Sequence, residues 1–154
     1  MGRLKELRHH VDSELRALAD PDVRQSACVH LYGVSLAAAM LAEKRKVNAE
    51  LACMAAMLHD LHAYKSGSYE DHARKGAALA REILERLALT SPAETDAICA
   101  AICRHDDKAV VDAPLDEVLK DADVIHHCMN DLSKKVKDRE KARYAALRKE
   151  FGMD

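Results

Sequence analysis

Met57-Leu58-His59-Asp60-Leu61-His62 closes an apolar helical run with a histidine and an aspartate side by side. Asn48 can cap that helix, and Leu51, Met54, Ala55, Leu58 and Leu61 recur at steps of three and four, which makes one buried face. His59 lies on the flank of this stripe, close to the helix end. The chain is expected to turn next at Ala63-Tyr64-Lys65-Ser66-Gly67. A surface loop after a buried helix is where a site opens to solvent. In a chain with nine histidines one His-Asp pair means little by itself, so its partners decide its value.

The composition is that of an all-α protein. Hydrophobic residues make up 49 % of the 154 but aromatics only 3 %, so the core must be Ala, Leu, Ile, Val and Met between closely approaching helices. Five Gly and three Pro leave few turns and long elements. The length suits one domain over 1–154, a helical bundle of about six to seven helices that buries its core without staples. A net charge of −2 supplies no field for steering to nucleic acid. The first residues lack a signal peptide's apolar run and no later run approaches a membrane span, so no membrane partner is expected and the expected compartment is the cytoplasm. Five Cys, an odd number within helical patterns, read as reduced core residues; Cys99 and Cys103 lack the second pair that favours a zinc site.

Leu4, Leu7, Val11, Leu15 and Leu18 place a first amphipathic helix over about 3–19, and Asp20-Pro21-Asp22 breaks the pattern. A second helix from about Val23 to Glu43 carries the stripe Val23, Ala27, His30, Val34, Ala37, Leu41, in which His30 is the only polar member. Ser68-Tyr69-Glu70-Asp71 resembles a capping box with Asp in place of Glu, and the helix after it carries His72, Gly76, Leu79, Ile83 and Leu87 on one side. Gly76, Ala77, Ala78 and Ala80 make that helix thin. Ser91-Pro92-Ala93-Glu94 is a stronger start signal, and its helix buries Ile98, Ala101, Ile102 and then His105. A further helix presents Leu115, Val118, Leu119, Ala122, Ile125, Met129 and Leu132. Residues 133–150 are almost all charged and read as a solvated final helix or a weak packing arm rather than a nucleic-acid patch, because Asp138, Glu140 and Glu150 interrupt the basic residues.

His30, His59, His72 and His105 therefore sit on four different helices, each on or beside an inward face. Alone, each could be a core histidine bonded to a neighbour; four together would need four such partners. Helical bundles converge side chains into metal sites, and imidazole with carboxylate suits Mn, Fe, Co, Ni or Zn better than Ca. Asp60 and an acid from the pair Asp121/Asp123 complete the set. Those two are about 200° apart on a helix and cannot both aim at one pocket. Periodicity leaves Asp121 at least as near the buried face, although His59 and Asp123 flank their stripes equivalently.

The order His30, His59-Asp60 and a late Asp in Leu119-Lys120-Asp121-Ala122-Asp123 resembles the HD-domain superfamily of metal-dependent phosphohydrolases. The resemblance covers about residues 23–130. Its second half typically reads Ala-Asp followed by an apolar residue, matching Ala122-Asp123-Val124, so the resemblance carries the ligand to Asp123. It implies His30, His59, Asp60 and Asp123 around one divalent ion (Mn, Fe, Co, Ni, Zn or Mg). His72 and His105 resemble the further histidines of two-metal subfamilies. Lys65 and Lys108 are candidates to grip a phosphate, and His126 to meet substrate.

What the resemblance implies is hydrolysis of a small phosphate monoester or nucleotide by a metal-activated water, with Asp60 as the candidate to accept its proton. No Gly-Tyr-Pro tripeptide follows the motif, which disfavours the cyclic-di-GMP phosphodiesterase branch, and no second domain of an alarmone synthetase/hydrolase is expected. Two alternatives stand beside hydrolysis: a di-iron oxygenase of the same superfamily, and a non-catalytic nucleotide- or metal-binding regulatory domain. A homo-oligomer is compatible with either.

Overall fold

Residues 2–153 are described by a computed structural model. Among them are eight α-helices and one 3-10 turn, with no strand: α1 (Arg3–Arg16), α2 (Pro21–Arg45), α3 (Ala49–Leu58), α4 (Leu61–Ser66), α5 (His72–Leu87), α6 (Pro92–Arg104), α7 (Pro114–Met129), the turn Asp138–Glu140, and α8 (Lys141–Glu150). The architecture is all-α, as the composition requires. α2 runs through the middle, packed against α3 on one side and α7 on another; α5 pairs with α6, and α3 joins the two groups by touching α6 and α7.

Start and stop chemistry explains most boundaries. Asn48 Oδ1 accepts from Leu51 N at 3.1 Å and opens α3. Ser91 and Glu94 form the reciprocal capping box at α6, with Ser91 N donating to Glu94 Oε2 at 2.8 Å and Glu94 N to Ser91 Oγ at 3.3 Å. The helical pattern breaks before Asp20, as expected, and Asp20-Pro21-Asp22 also starts α2, two residues ahead of the expected Val23. Asp20 Oδ1 accepts from Asp22 N at 2.8 Å, and Pro21, with no N–H to lose, stands at the first helical position. The box expected at Ser68–Asp71 does not form. Asp71 adopts a left-handed φ of 53°, and its carboxylate accepts from Arg74 Nε at 2.6 Å instead of capping the helix.

Three further expectations are corrected. The turn at 63–67 is the short helix α4, which ends at the left-handed Gly67. α1 stops at Arg16, three residues early, although Leu7, Val11 and Leu15 are buried as its stripe demands. α2, at 25 residues, is long and apolar enough by length and composition to cross a membrane, contrary to the reading that no run is. Half of that window is buried within the bundle, where the apolar residues pack against α3 and α7.

Small residues bring the axes close. Ala27, Ala38, Ala42, Ala52, Ala55, Ala56, Ala80, Ala101 and Ala122 are all buried, interleaved with Leu31, Leu41, Met54, Met57, Ile98 and Leu119. Gly76 is needed at the crossing of α5 with the end of α3, since a Cβ there would lie 2.9 Å from the carbonyl oxygen of His59. The charged C-terminal segment is helical only from Lys141 and is tied down more firmly than a solvated arm. Leu147 is buried, Arg143 reaches Glu117 at 2.7 Å and Asp121 at 3.0 Å, and Arg45 meets Glu150 at 2.7 Å.

Candidate metal centre

Five elements deliver six side chains to one point. His30 comes from the middle of α2, His59 and Asp60 from the junction of α3 with α4, His72 from the first residue of α5, His105 from the residue capping α6, and Asp123 from α7. The chain leaves helical geometry at Asp60, with φ −110° and ψ 4°, a region common at active-site residues. His30, His59, Asp60, His105 and Asp123 are all buried.

The inward atoms fall into two sets that share Asp60. In the first, His30 Nε2 lies 3.1 Å from His59 Nε2, 3.2 Å from Asp60 Oδ2 and 3.5 Å from Asp123 Oδ1. His59 Nε2 is 3.4 Å from Asp60 Oδ2 and 3.7 Å from Asp123 Oδ1. In the second, Asp60 Oδ1 is 3.5 Å from His72 Nε2 and 3.4 Å from His105 Nε2. Ligands about 2.1 Å from one ion, at right or tetrahedral angles, stand about 3.0–3.4 Å apart.

The outer nitrogens are fixed by backbone. His59 Nδ1 lies 2.7 Å from Ala56 O, His105 Nδ1 2.6 Å from Ile102 O and His72 Nδ1 3.0 Å from Tyr69 O. A carbonyl only accepts, so each Nδ1 donates and each Nε2 turns its lone pair inward. At His59 and His105 the acceptors are last-turn carbonyls, and Ile102 O also accepts from His105 N at 3.3 Å. His30 differs: its Nδ1 lies 3.0 Å from Nδ1 of His126.

The residues present fit a divalent cation. Asp60 Oδ1 and Asp123 Oδ1 are buried with no hydrogen-bond partner, which is costly for carboxylate oxygens unless a positive ion meets them. Burial favours protonating both acids, yet the surrounding cationic groups hold them well below the usual carboxylate range, His59 leading at Asp60 and Lys108 at Asp123. Burial also opposes a charged His59, but the two carboxylates outweigh it and push its pKa up to about 10. Burial lowers His30, and burial together with the neighbouring His30 and His127 lowers His126 to about 4.

Other expected residues are placed differently. Asp121 turns away from the cluster and accepts from Arg45 at 2.8 Å and Arg143 at 3.0 Å, so it holds α2 and α8 to α7 rather than sitting at the site or free on the surface. Lys65, expected near phosphate, pairs with Glu14 on α1 and does not line the cleft. Lys108 is buried and already engaged, donating to Asp123 Oδ2 at 2.7 Å and to His105 O at 2.8 Å; it supports the cluster instead of gripping a ligand. His126 does line the cleft, with its ring in the space that a Cβ on Gly33 would fill.

In sequence His127 goes unassigned, and Glu140 and the basic residues after α7 read only as part of a charged, solvated segment. His127 Nε2 lies 3.3 Å from Asp123 Oδ1, and its Nδ1 lies 2.8 Å from Oε1 of buried Glu140. Its place four residues after Asp123 was a readable signal; nothing local marked Glu140. His30, Asp123 and His127 offer a further cluster able to hold an ion, as do His59, His105 and Asp123. Above the cluster opens a cleft of about 610 Å³, with Tyr64, Tyr69 and Ser26 on its walls and Lys134, Lys135, Lys137 and Arg139 among its lining residues.

The family model for the HD domain matches residues 29–128, from Val29 beside His30 within α2 to Cys128 near the end of α7. This chain belongs to the HD-domain family. Among solved structures, the HD domain is similar to a predicted HD superfamily hydrolase from an uncultured Thermotogales bacterium, at 20 % identity over 99 % of this chain and 91 % of that one, with a TM-score of 0.65. That likeness shows a shared fold. A search of curated proteins finds no match. Family membership and the buried His/Asp clusters place the chain in a family of metal-dependent hydrolases and give it a centre able to hold divalent metal.

Proposed function

We propose that this HD domain is a phosphohydrolase that cleaves a small phosphate monoester or a nucleotide at a dinuclear metal centre. The observation that carries the reading is the carboxylate of Asp60, which turns Oδ2 to His30 and His59 and Oδ1 to His72 and His105. His30, His59, Asp60 and Asp123 would hold one ion, and Asp60, His72 and His105 the second. Divalent ions bound there supply a water of lowered pKa and neutralise charge on the phosphoryl oxygens.

The chain's own residues do the rest. Backbone carbonyls at Ala56, Ile102 and Tyr69 keep three imidazoles in one tautomer and orientation. Lys108 holds Asp123 from behind and offsets part of the negative charge. Asp60, with one oxygen facing each imidazole pair, is the residue that would take the proton of a water activated there.

The test is elemental analysis of gently purified protein beside a His72→Ala/His105→Ala variant, followed by a panel of phosphoesters with Mn, Co or Ni. Two ions per chain, falling to one in the variant, with hydrolysis abolished by Asp60→Ala, is the expected result. Hydrolysis retained by Asp60→Ala overturns the assignment. Bound iron with a visible absorption band and no phosphoester turnover would instead assign the oxygenase chemistry.

A further inference from the structure

Resting on the phosphohydrolase reading, we propose that Lys135 and Lys137 bind a second phosphate of the substrate, so that the preferred substrate class is a compound with at least two phosphate groups. The juxtaposition that carries this is a short basic segment, Lys134-Lys135-Val136-Lys137, whose residues line the same cleft as His30, Asp60, His72 and His105.

The segment is built into place. At its start, Ser133 N and Oγ both donate to Asp131 Oδ1, at 3.1 and 2.6 Å. In its middle, half-buried Val136 packs against the hydrophobic core. At its end, buried Glu140 lies 2.8 Å from His127 Nδ1, and Arg139 pairs with Asp106 at 2.9 Å. Exposed Lys135 and Lys137 flank the Val136 anchor, which positions their stems beside the cleft.

The charge account separates these two from their neighbours. Arg139 is engaged by Asp106, and Lys134 stands 3.7 Å from Asp131. Lys135 and Lys137 enter no ion pair among the described residues, while Asp22 contributes an acid elsewhere on the lining. At the floor, the carboxylates of Asp60 and Asp123 already face the imidazoles and Lys108, and a scissile phosphate there is met by bound ions. A monophosphate leaves nothing for cations at the mouth to hold. A second phosphate does, and ammonium groups suit it as point charges.

Titration calorimetry tests this on the full chain, metal-loaded and metal-free, with methylphosphonate and methylenediphosphonate as non-hydrolysable probes. In the Lys135→Gln/Lys137→Gln variant the diphosphonate should bind about tenfold more weakly or worse, the loss of one to two charge-assisted bonds. Methylphosphonate affinity and metal content should stay as in wild type. Unchanged diphosphonate affinity in the variant overturns the inference, as does an equal loss for both probes, which would mark a general field. A variant-dependent diphosphonate preference in a protein that hydrolyses no phosphoester would sustain the phosphate site and sink the hydrolase reading. Hydrolysis with no such dependence would do the reverse.

Discussion

Lys108 Nζ lies 2.7 Å from Oδ2 of Asp123, while the other oxygen of the same carboxylate faces His30 and His59 with no hydrogen-bond partner. One oxygen is neutralised from behind and the other is left to the cleft. Removing the lysine strands a buried carboxylate, a change that costs about 3–5 kcal/mol. Lys108→Met should therefore lower stability in urea by that order and reduce metal content, both measured on one preparation.

Asp121 and Asp123 should separate cleanly. Asp123→Asn removes an inward ligand and is expected to lose at least one ion per chain by elemental analysis. Asp121→Asn should keep the metal and weaken the ties to Arg45 and Arg143, at about 1–3 kcal/mol in denaturant unfolding. Metal loss in the Asp121 variant would contradict the placement.

Gly76→Ala sets two effects against each other. Ala gains about 1 kcal/mol of helix propensity over Gly. Its Cβ, however, would sit 2.9 Å from His59 O, a backbone atom at the junction of α3 and α4, and overpacking costs about 1–3 kcal/mol. The clash should prevail. The expected outcome is a lower Tm together with reduced occupancy at the His72 set, because α5 carries both residues.

Chelation should destabilise the protein without unfolding it, since the apolar core is complete without the metal. Ions at a thousand times their Kd stabilise by about 4 kcal/mol, so Tm should fall with EDTA and return on reloading. An identical Tm in both states would argue against ions binding among these six residues.

Arg3 gives the pH dependence. Its guanidinium forms a fork on Glu94, at 2.9 and 3.0 Å, and with the Ser91 backbone it lowers the Glu94 pKa to about 2; Arg3 also meets Glu50 at 2.8 Å. A depressed carboxylate stabilises the fold above its ordinary value of about 4.5 and loses that contribution as pH falls towards 2. The stability gap between wild type and Arg3→Met should be largest above pH 5 and narrow towards pH 2, as followed by urea unfolding across that range.

Much of the fold was legible because helix signals are local. The stripes of α2 and α3, the Ser91/Glu94 box and the Asn48 cap each involve residues within a few positions of one another, and each forms as its pattern implies except at Val23, which is exposed at the start of α2. Asp20-Pro21 marks the break between α1 and α2 in sequence, but because Pro both ends and begins helices, the start of α2 at Pro21 rather than Val23 is fixed only by the backbone on either side. The short α4 lacked the length over which periodicity becomes readable.

The site divides along the same line. By itself, the sequence determined which residue types were available on inward faces: one imidazole from each of four helices and a His-Asp pair at a helix end. Those are properties of spacing along a single helix. What periodicity left open and only the tertiary structure displays was direction and partnership: that Asp123, as the resemblance implies, and not Asp121 meets the imidazoles, that Lys108 is held behind Asp123, that Lys65 belongs to Glu14, and that His127, Glu140 and the lysines after α7 border the cleft. Periodicity gives the angle of a side chain about its own axis. It contains nothing about how far that helix is rotated against its neighbours, and that rotation, set by packing across the core, chooses which carboxylate faces the cluster.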